Sequence, residues 1–425
     1  MPDEAEANVG RTVEHLFREE AGRIVAALTG ILGLRHLELA EDALQEALLK
    51  ALRQWSYGNL PPNPAAWLMQ VAKNSALDVV RRDARLREKA EAIADALEKN
   101  PAFSTAPGTF MADEIRDDQL RLIFACCHPA LAHEGQVALT LKTLCGFSVG
   151  EIARAFLSTT ETIAKRLTRA RDRLRKADVP FEIPSGLELS ARLDSVLEVL
   201  YLLFNEGYNA SHGGELIRRE LCEEAIRLAT LLTRNPACDT PKTHALLALF
   251  FFQAARLAAR IDEAGEILLL KHQDRTRWNR EMIAKGMAHL DRAAAGDEAS
   301  PFHLQAGIAS CHCLASRYEE TDWARILSLY DLLVTTDASP VVALNRAVAV
   351  GKVRGAAAGL AALDEIRNRE ALQRYYLFYA ARAELLAELG RNEEARSDYA
   401  QALSFTELAA ERNYLMKRLR QFDIE

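Results

Sequence analysis

The sequence predicts an all-α protein, and three observations carry that reading. Glycine and proline number only 21 and 13 in 425 residues, so few positions interrupt a helix. Long segments repeat apolar residues at helical spacing, separated by short breaks such as NPACDTP and TTDASP, which reads as a succession of amphipathic helices. Strand-like alternation does not persist, with a brief exception at EILLLK, Glu266 to Lys271. At about 100 to 200 residues per domain the length calls for two to four domains, and three is the working number.

Arg11 to Arg87 reads as a first helical domain, broken at Tyr57 to Pro64 by YGNLPPNP, whose prolines and glycine cannot continue a helix. Before that break, Leu44, Ala47, Leu48, Ala51 and Trp55 share one apolar face, which places Asp42, Gln45, Glu46 and Arg53 on the opposite one. After it, Leu68, Val71, Ala72, Ser75 and Val79 form the inward stripe, leaving Trp67, Gln70, Asn74, Asp78, Arg81 and Arg85 outside. Aromatics stack on unpaired bases, amides read base edges and arginines hold phosphates, so this face suits melted DNA. A tryptophan packed against a neighbouring helix is the plainer alternative. Glu88 to Asp118 reads as a flexible linker, helical at its start.

Gln119 to Asp178 reads as a second small helical domain. Glu151 to Leu157 makes a short helix, Ser158 and Thr159 supply turn and cap, and Ile163, Leu167, Ala170 and Leu174 anchor a second helix. Thr162, Lys165, Arg166, Arg169 and Arg173 then point outward, the layout of a helix-turn-helix whose second helix reads a major groove. The prolines and glycine of VPFEIPSG, Val179 to Gly186, mark the next boundary. Leu187 to Glu425 reads as a helical array. Within it Arg346-Ala347 and Arg382-Ala383 lie 36 residues apart, and Gly355 and Gly390 lie 35 apart, close to the tetratricopeptide period of about 34.

The formal net charge of -7 argues against a nonspecific nucleic-acid coat, which works by neutralising phosphates along its whole surface. Positive charge is concentrated instead. From Lys165 to Lys176 seven basic residues stand against Asp172 alone. The remainder is acidic enough to discourage DNA binding unaided. MPDEAEANVG lacks the basic and apolar regions of an export signal, and no stretch approaches the roughly 18 apolar residues of a membrane span, so a cytoplasmic location is expected. Seven cysteines, an odd number, fit reduced thiols. Cys311-His312-Cys313 with His303 is the nearest approach to a metal pattern. Adjacent residues on a helix diverge, so it reads as structural.

Taken together, D-x-x-Q-E at Asp42, Gln45 and Glu46, W-L-x-x-x-A-x-N from Trp67 to Asn74 with Asp78, Arg81 and Arg82, and the closing E-I-A…T-x-x-x-R-L-x-R-A-R resemble an extracytoplasmic-function sigma factor of the bacterial sigma-70 family. The order and separation match regions two and four across roughly the first 178 residues. The resemblance implies that Asp42, Gln45 and Glu46 dock on the clamp helices of the RNA polymerase beta-prime subunit. It implies that Asn74, with the loop Asn59 to Ala65 before it, captures a flipped base of the minus-ten promoter element, that Trp67 binds the same element, and that Arg81 and Arg82 follow the melted strand. It assigns Thr162, Lys165, Arg166 and Arg169 to the minus-thirty-five element. LFNEGYNASHGGELIRRELCEEAIRLA from Leu203, QDRTRWN from Gln273 and SPVVALNRAVAV from Ser339 are similar to the tetratricopeptide-like C-terminal extension of one sigma-factor group.

The expectation is therefore a three-part, all-helical sigma factor that binds core polymerase and opens a two-element promoter under the control of its extension, which offers a surface for a possible protein partner. No Ser/His/Asp or paired-carboxylate set has enzyme-like spacing, and no catalytic residue, cofactor, metal or membrane partner is expected. The alternative is a free-standing helix-turn-helix regulator with a ligand- or peptide-sensing array. A tetratricopeptide scaffold with incidental basic helices is a third reading.

Overall fold

The computed structural model describes residues 20–55, 60–82, 90–99, 112–144, 146–156, 158–177, 181–184, 186–209, 217–262, 266–296 and 299–422. The start of the YGNLPPNP loop, with Asn59, Arg85 and Arg87, and part of the interval read as linker lie outside the described residues. Among those described the fold is all-α, and the strand-like exception at EILLLK reduces to one isolated antiparallel bridge between Ile261 and Ile267. The chain separates into two compact units, Met1–Leu203 and Phe204–Glu425.

The first unit holds α1 (residues 20–32), α2 (Leu37–Trp55), α3 (Pro64–Arg82), α4 (Ala90–Lys99), α5 (Ala112–Cys126), α6 (His133–Thr143), α7 (Val149–Ala155), α8 (Thr160–Lys176) and the first part of α9 (Gly186–Tyr208). Alanines 40, 43, 47 and 51 are buried along α2, with Trp55 closing the row. Small side chains at successive turns let a neighbouring helix approach closely, and α2 packs on α3. On α3 the stripe differs from the sequence reading. Val79 is exposed and Val80 is buried, with Met69 and Ala76. The buried arc is rotated and widened because α3 packs against α4 as well as α2.

α5, α6, α7 and α8 follow the helical pattern of the second segment, and the first part of α9 packs with them. Arg192 of α9 donates to the Phe124 carbonyl at 3.1 Å, in the last turn of α5. That turn leaves carbonyls without intrahelical partners, which a cation satisfies well. Ser195 donates to Gln136 Oε1 of α6 at 2.7 Å, and His133 reaches Ser195 at 3.0 Å and also Glu198. Leu193, Val196, Leu197 and Leu200 are buried in the same unit.

The second unit continues with α10 (Arg219–Leu232), α11 (Pro241–Ala254), α12 (Arg280–Ala293), α13 (Pro301–Leu314), α14 (Trp323–Thr336), α15 (Pro340–Arg354), α16 (Ala356–Asp364), α17 (Tyr376–Glu388), α18 (Asn392–Ser404) and α19 (Ala409–Gln421). From α13 onward each helix packs on the next, the arrangement that buries apolar faces no single helix buries alone. Gly355 and Gly390 stand at matching places, just after α15 and α17, with φ of 92° and 72°. Only glycine adopts such angles without strain, which explains their recurrence.

The arginines of the sequence echo part company. Arg346 pairs back to Asp331 of α14 at 2.6 Å, whereas Arg382 pairs forward to Asp398 of α18 at 2.5 Å. α19 is fastened by buried Glu411, which accepts from Tyr376 at 2.6 Å and from Thr406. Cys313 donates to the Phe252 carbonyl at 3.5 Å, while His303 is engaged by Ser300 and the Ala293 carbonyl. Among the described residues no group of histidines, cysteines and carboxylates is arranged to hold a metal, and no helix is long and apolar enough to cross a membrane.

Candidate functional site

Three sets of side chains singled out in the sequence are held on three helices. On α2, Asp42, Gln45 and Glu46 are exposed because Ala43, Leu44 and Ala47 turn the other face into the core. The next turn adds Leu49, 55% exposed, and Leu52, 38% exposed. Sequence reasoning missed both leucines. Their signal was the spacing, since Leu49 lies three and four residues after Glu46 and Gln45 and so shares their face. A leucine half in water costs free energy that a partner surface recovers.

Glu46 has a second attachment. The buried hydroxyl of Ser75 on α3 donates to it, and Lys50 forms an ion pair with it at 2.9 Å. The Ser75 bond first and Lys50 second hold its carboxyl below the usual carboxylate range.

On α3, Asn63 caps the helix start, its side chain accepting from the Ala66 N–H at 3.1 Å. Trp67 follows one turn in and is half-buried, its ring 5.3 Å from that of fully buried Trp55 at an angle of 59°. One side of Trp67 therefore belongs to the core, as the plainer alternative held. Gln70 donates to Asn74 Oδ1 at 3.1 Å. Asn74, Asp78, Arg81 and Arg82 are exposed along the same helix.

α7 and α8 form the third set. Ser148 and Glu151 cap α7 reciprocally, the Ser148 N–H donating to the Glu151 carboxylate at 2.7 Å and the Glu151 N–H to the Ser148 hydroxyl at 3.1 Å. Thr159 then caps α8 by accepting from the Thr162 N–H at 3.2 Å. Ile163, Leu167, Ala170 and Leu174 are buried, which turns Thr162, Lys165 and Arg169 to solvent. Arg166 is half-covered, its guanidinium 6.0 Å from the Phe156 ring centre. Lys165 pairs with Glu161 at 2.6 Å. Two arginines of this helix are spent inside the unit. Arg173 donates to the Ala130 carbonyl and Arg171 to Glu41 of α2, each at 3.0 Å.

An exposed carboxylate-and-leucine face on α2, an aromatic-amide-arginine face on α3 and a capped basic helix after a short turn are thus the three sets that the first unit presents. Residues 16–86 match the family model described as Sigma-70 region 2, and residues 192–294 match a family of unknown function, DUF6596. The chain is 41% identical over 387 residues to an uncharacterised protein of Rhizobium meliloti, covering 91% of this chain and 90% of that one. It is 28% identical over 163 residues to the ECF RNA polymerase sigma factor SigE of Mycolicibacterium smegmatis, covering 38% of this chain and 60% of that protein. No solved structure matches. The chain belongs to the sigma-70 family, as a member like the extracytoplasmic-function sigma factors that carries a C-terminal extension. Family membership makes core RNA polymerase and promoter DNA its partners.

Proposed function

We propose that this chain directs polymerase to a two-element promoter and helps open it, each step being assigned to one of the three faces. The α2 face, Asp42, Gln45, Glu46 and Leu49, docks on the beta-prime clamp helices, its carboxylates meeting basic groups around an apolar centre. On α3, Asn74 takes a flipped minus-ten base, Trp67 presents its free side to the unpaired strand, and Arg81 and Arg82 follow the backbone. The α8 face, Thr162, Lys165, Arg166 and Arg169, enters the major groove at the minus-thirty-five element. The observation that carries this reading is the division of α8: four buried apolar residues fix its orientation, which leaves Thr162, Lys165 and Arg169 exposed and Arg166 half-covered on the opposite face.

Docking to polymerase supplies the affinity that an acidic chain lacks for DNA, and stacking and pocket contacts offset the cost of melting. No covalent chemistry is assigned to this chain. The second unit controls activity, its helical array offering a surface for a protein or peptide. The test is run-off transcription by purified core polymerase on a genomic fragment library, with and without this protein. Discrete start sites that depend on the protein support the reading. Unchanged transcript patterns refute it.

A further inference from the structure

Two arginines are buried together in the second unit. Arg256, just after α11, and Arg275, in the QDRTRWN segment before α12, are each 8% exposed. Both guanidiniums lie over the ring of buried Trp278, 5.3 and 4.6 Å from its centre. Burial first, and the charge of Arg256 second, lower the basicity of Arg275. Their hydrogen-bond partners are neutral groups, and among the described residues neither arginine forms an ion pair with a carboxylate. Arg280, exposed at the start of α12, adds a third positive charge that acts on Arg275.

The two arginines are not equally served. Arg275 donates to the carbonyls of His312 and Ala315, each at 2.6 Å, and reaches the Thr321 hydroxyl at 3.4 Å, which fastens the end of α13 to its own segment. Arg256 has one long contact, to Gln253 at 3.4 Å, and its buried Nε has no partner. Trp278 Nε1 is buried without a partner in the same cluster, and so is Nδ1 of His312, whose ring feels both guanidiniums. Buried polar groups are nearly always paired, and a buried charge without a counterion costs free energy that a cation–π contact restores only in part.

We propose that Arg256, Arg275 and the Trp278 N–H form a binding site for a phosphate group, free or carried on a small molecule. Two fixed positive charges call for a dianion, and a phosphate monoester carries about −1.5 to −2 at neutral pH where a carboxylate carries a single charge. Its oxygens accept from Arg256 Nε and Trp278 Nε1, the donors the protein leaves over. Arg275, spent on carbonyls, supplies charge and holds the wall of the site. The exposed edge that each arginine retains is the side of entry. The polymerase-docking and promoter faces all belong to the first unit, so this site gives the second unit a small-molecule input of its own.

The test is calorimetric melting of the full-length protein in inorganic phosphate, methyl phosphate, acetate or chloride at one pH and ionic strength. A saturating phosphate group should raise the melting temperature of the second unit by about 5 °C or more over chloride, and acetate should not. The stronger of the two phosphates tells an ester ligand from the free ion. Arg256→Met should melt no lower than the wild type in chloride, having lost an unpaired buried charge, and should lose the phosphate response. Arg256→Lys, which keeps the charge without the Nε donor, should weaken phosphate affinity about tenfold. The general stabilising effect of phosphate acts on wild type and variants alike, so an equal response in the wild type and both variants overturns the site. A response to acetate as large as that to phosphate overturns the ligand class. Should Arg256→Met fail to fold, the response of Arg256→Lys decides in the same way.

Discussion

Ser75 of α3 donates its buried hydroxyl to the Glu46 carboxylate of α2, so one of the four proposed polymerase-docking residues also clamps two core helices together. Asp42, four residues earlier, is exposed on the same helix face.

The two carboxylates therefore separate experimentally. Asp42→Ala should lower polymerase affinity while changing stability by no more than about 0.5 kcal/mol. Glu46→Ala should lower affinity and also cost about 1 to 3 kcal/mol of stability, because it removes the acceptor of a buried hydroxyl. Ser75→Ala with Glu46→Ala should recover part of that loss in a denaturant melt. Unchanged polymerase affinity in Asp42→Ala would remove the docking assignment.

Arg169 is exposed and Arg166 is half-covered by Phe156. Arg169→Ala should weaken upstream-element binding by about 1 to 3 kcal/mol, and selectively among sequences, if the guanidinium reads a base. Anisotropy titrations on a panel of upstream duplexes in the presence of polymerase check this. An equal loss on every sequence would make Arg169 a phosphate contact.

Asn74 accepts a hydrogen bond from Gln70 and is exposed, so its removal should not disturb the core. Asn74→Ala should reduce transcription both from duplex promoters and from templates already unpaired at minus ten, the second because the captured base has lost its partner. Full activity on the unpaired template would move Asn74 to an earlier melting step.

α9 belongs in part to the first unit, which bears on how the extension is dissected. A chain ending after Asp178 loses the Arg192 bond to Phe124, the Ser195 bond to Gln136 and the buried leucines of α9. Its first unit should be destabilised by about 3 kcal/mol or more. A chain ending after Asn209 keeps these contacts and should melt cooperatively, yet lack promoter activity. Full activity of that longer truncation would leave the extension without a role in initiation.

Two histidines of the second unit are kept neutral. Burial first, and the guanidiniums of Arg256 and Arg275 next, bring His312 down to about 3. Burial first, and neighbouring His244 next, bring His289 to about 4. The unfolded chain takes up these protons near the ordinary value of about 6.5, so it binds more protons below that pH than the folded one does. Stability should be constant above about pH 6.5 and fall as pH drops toward 4. Denaturant titrations at pH 7.5, 6 and 5 should show this, with a shallower decline in His289→Gln. Equal pH slopes for the two proteins would contradict the assignment.

The helical nature of the chain and the α7–α8 turn were legible because local rules produce them. Ser148 and Glu151 cap at a spacing of three, and Ile163, Leu167, Ala170 and Leu174 recur at helical period. The centre of the α3 stripe was not legible. Periodicity gives the axis of a buried face, but α3 is covered from two sides, so Val80 and not Val79 is inside. Trp67 was ambiguous for a related reason, since its partner Trp55 lies across a loop. The pairing of Glu41 with Arg171 spans 130 residues and leaves no local signal. Charge concentration on α8 was visible in sequence, but which arginines remain for a partner was not, because Arg171 and Arg173 find acceptors only after folding.

The most direct test of the central claim is nuclease protection of a start-site fragment by this protein alone, by core polymerase alone and by the two together. The account predicts protection over both promoter elements, with unpaired bases at the downstream one, only when the two are combined. Strong protection of the duplex by this protein alone, unchanged by polymerase, would contradict it and establish an operator-binding regulator in its place.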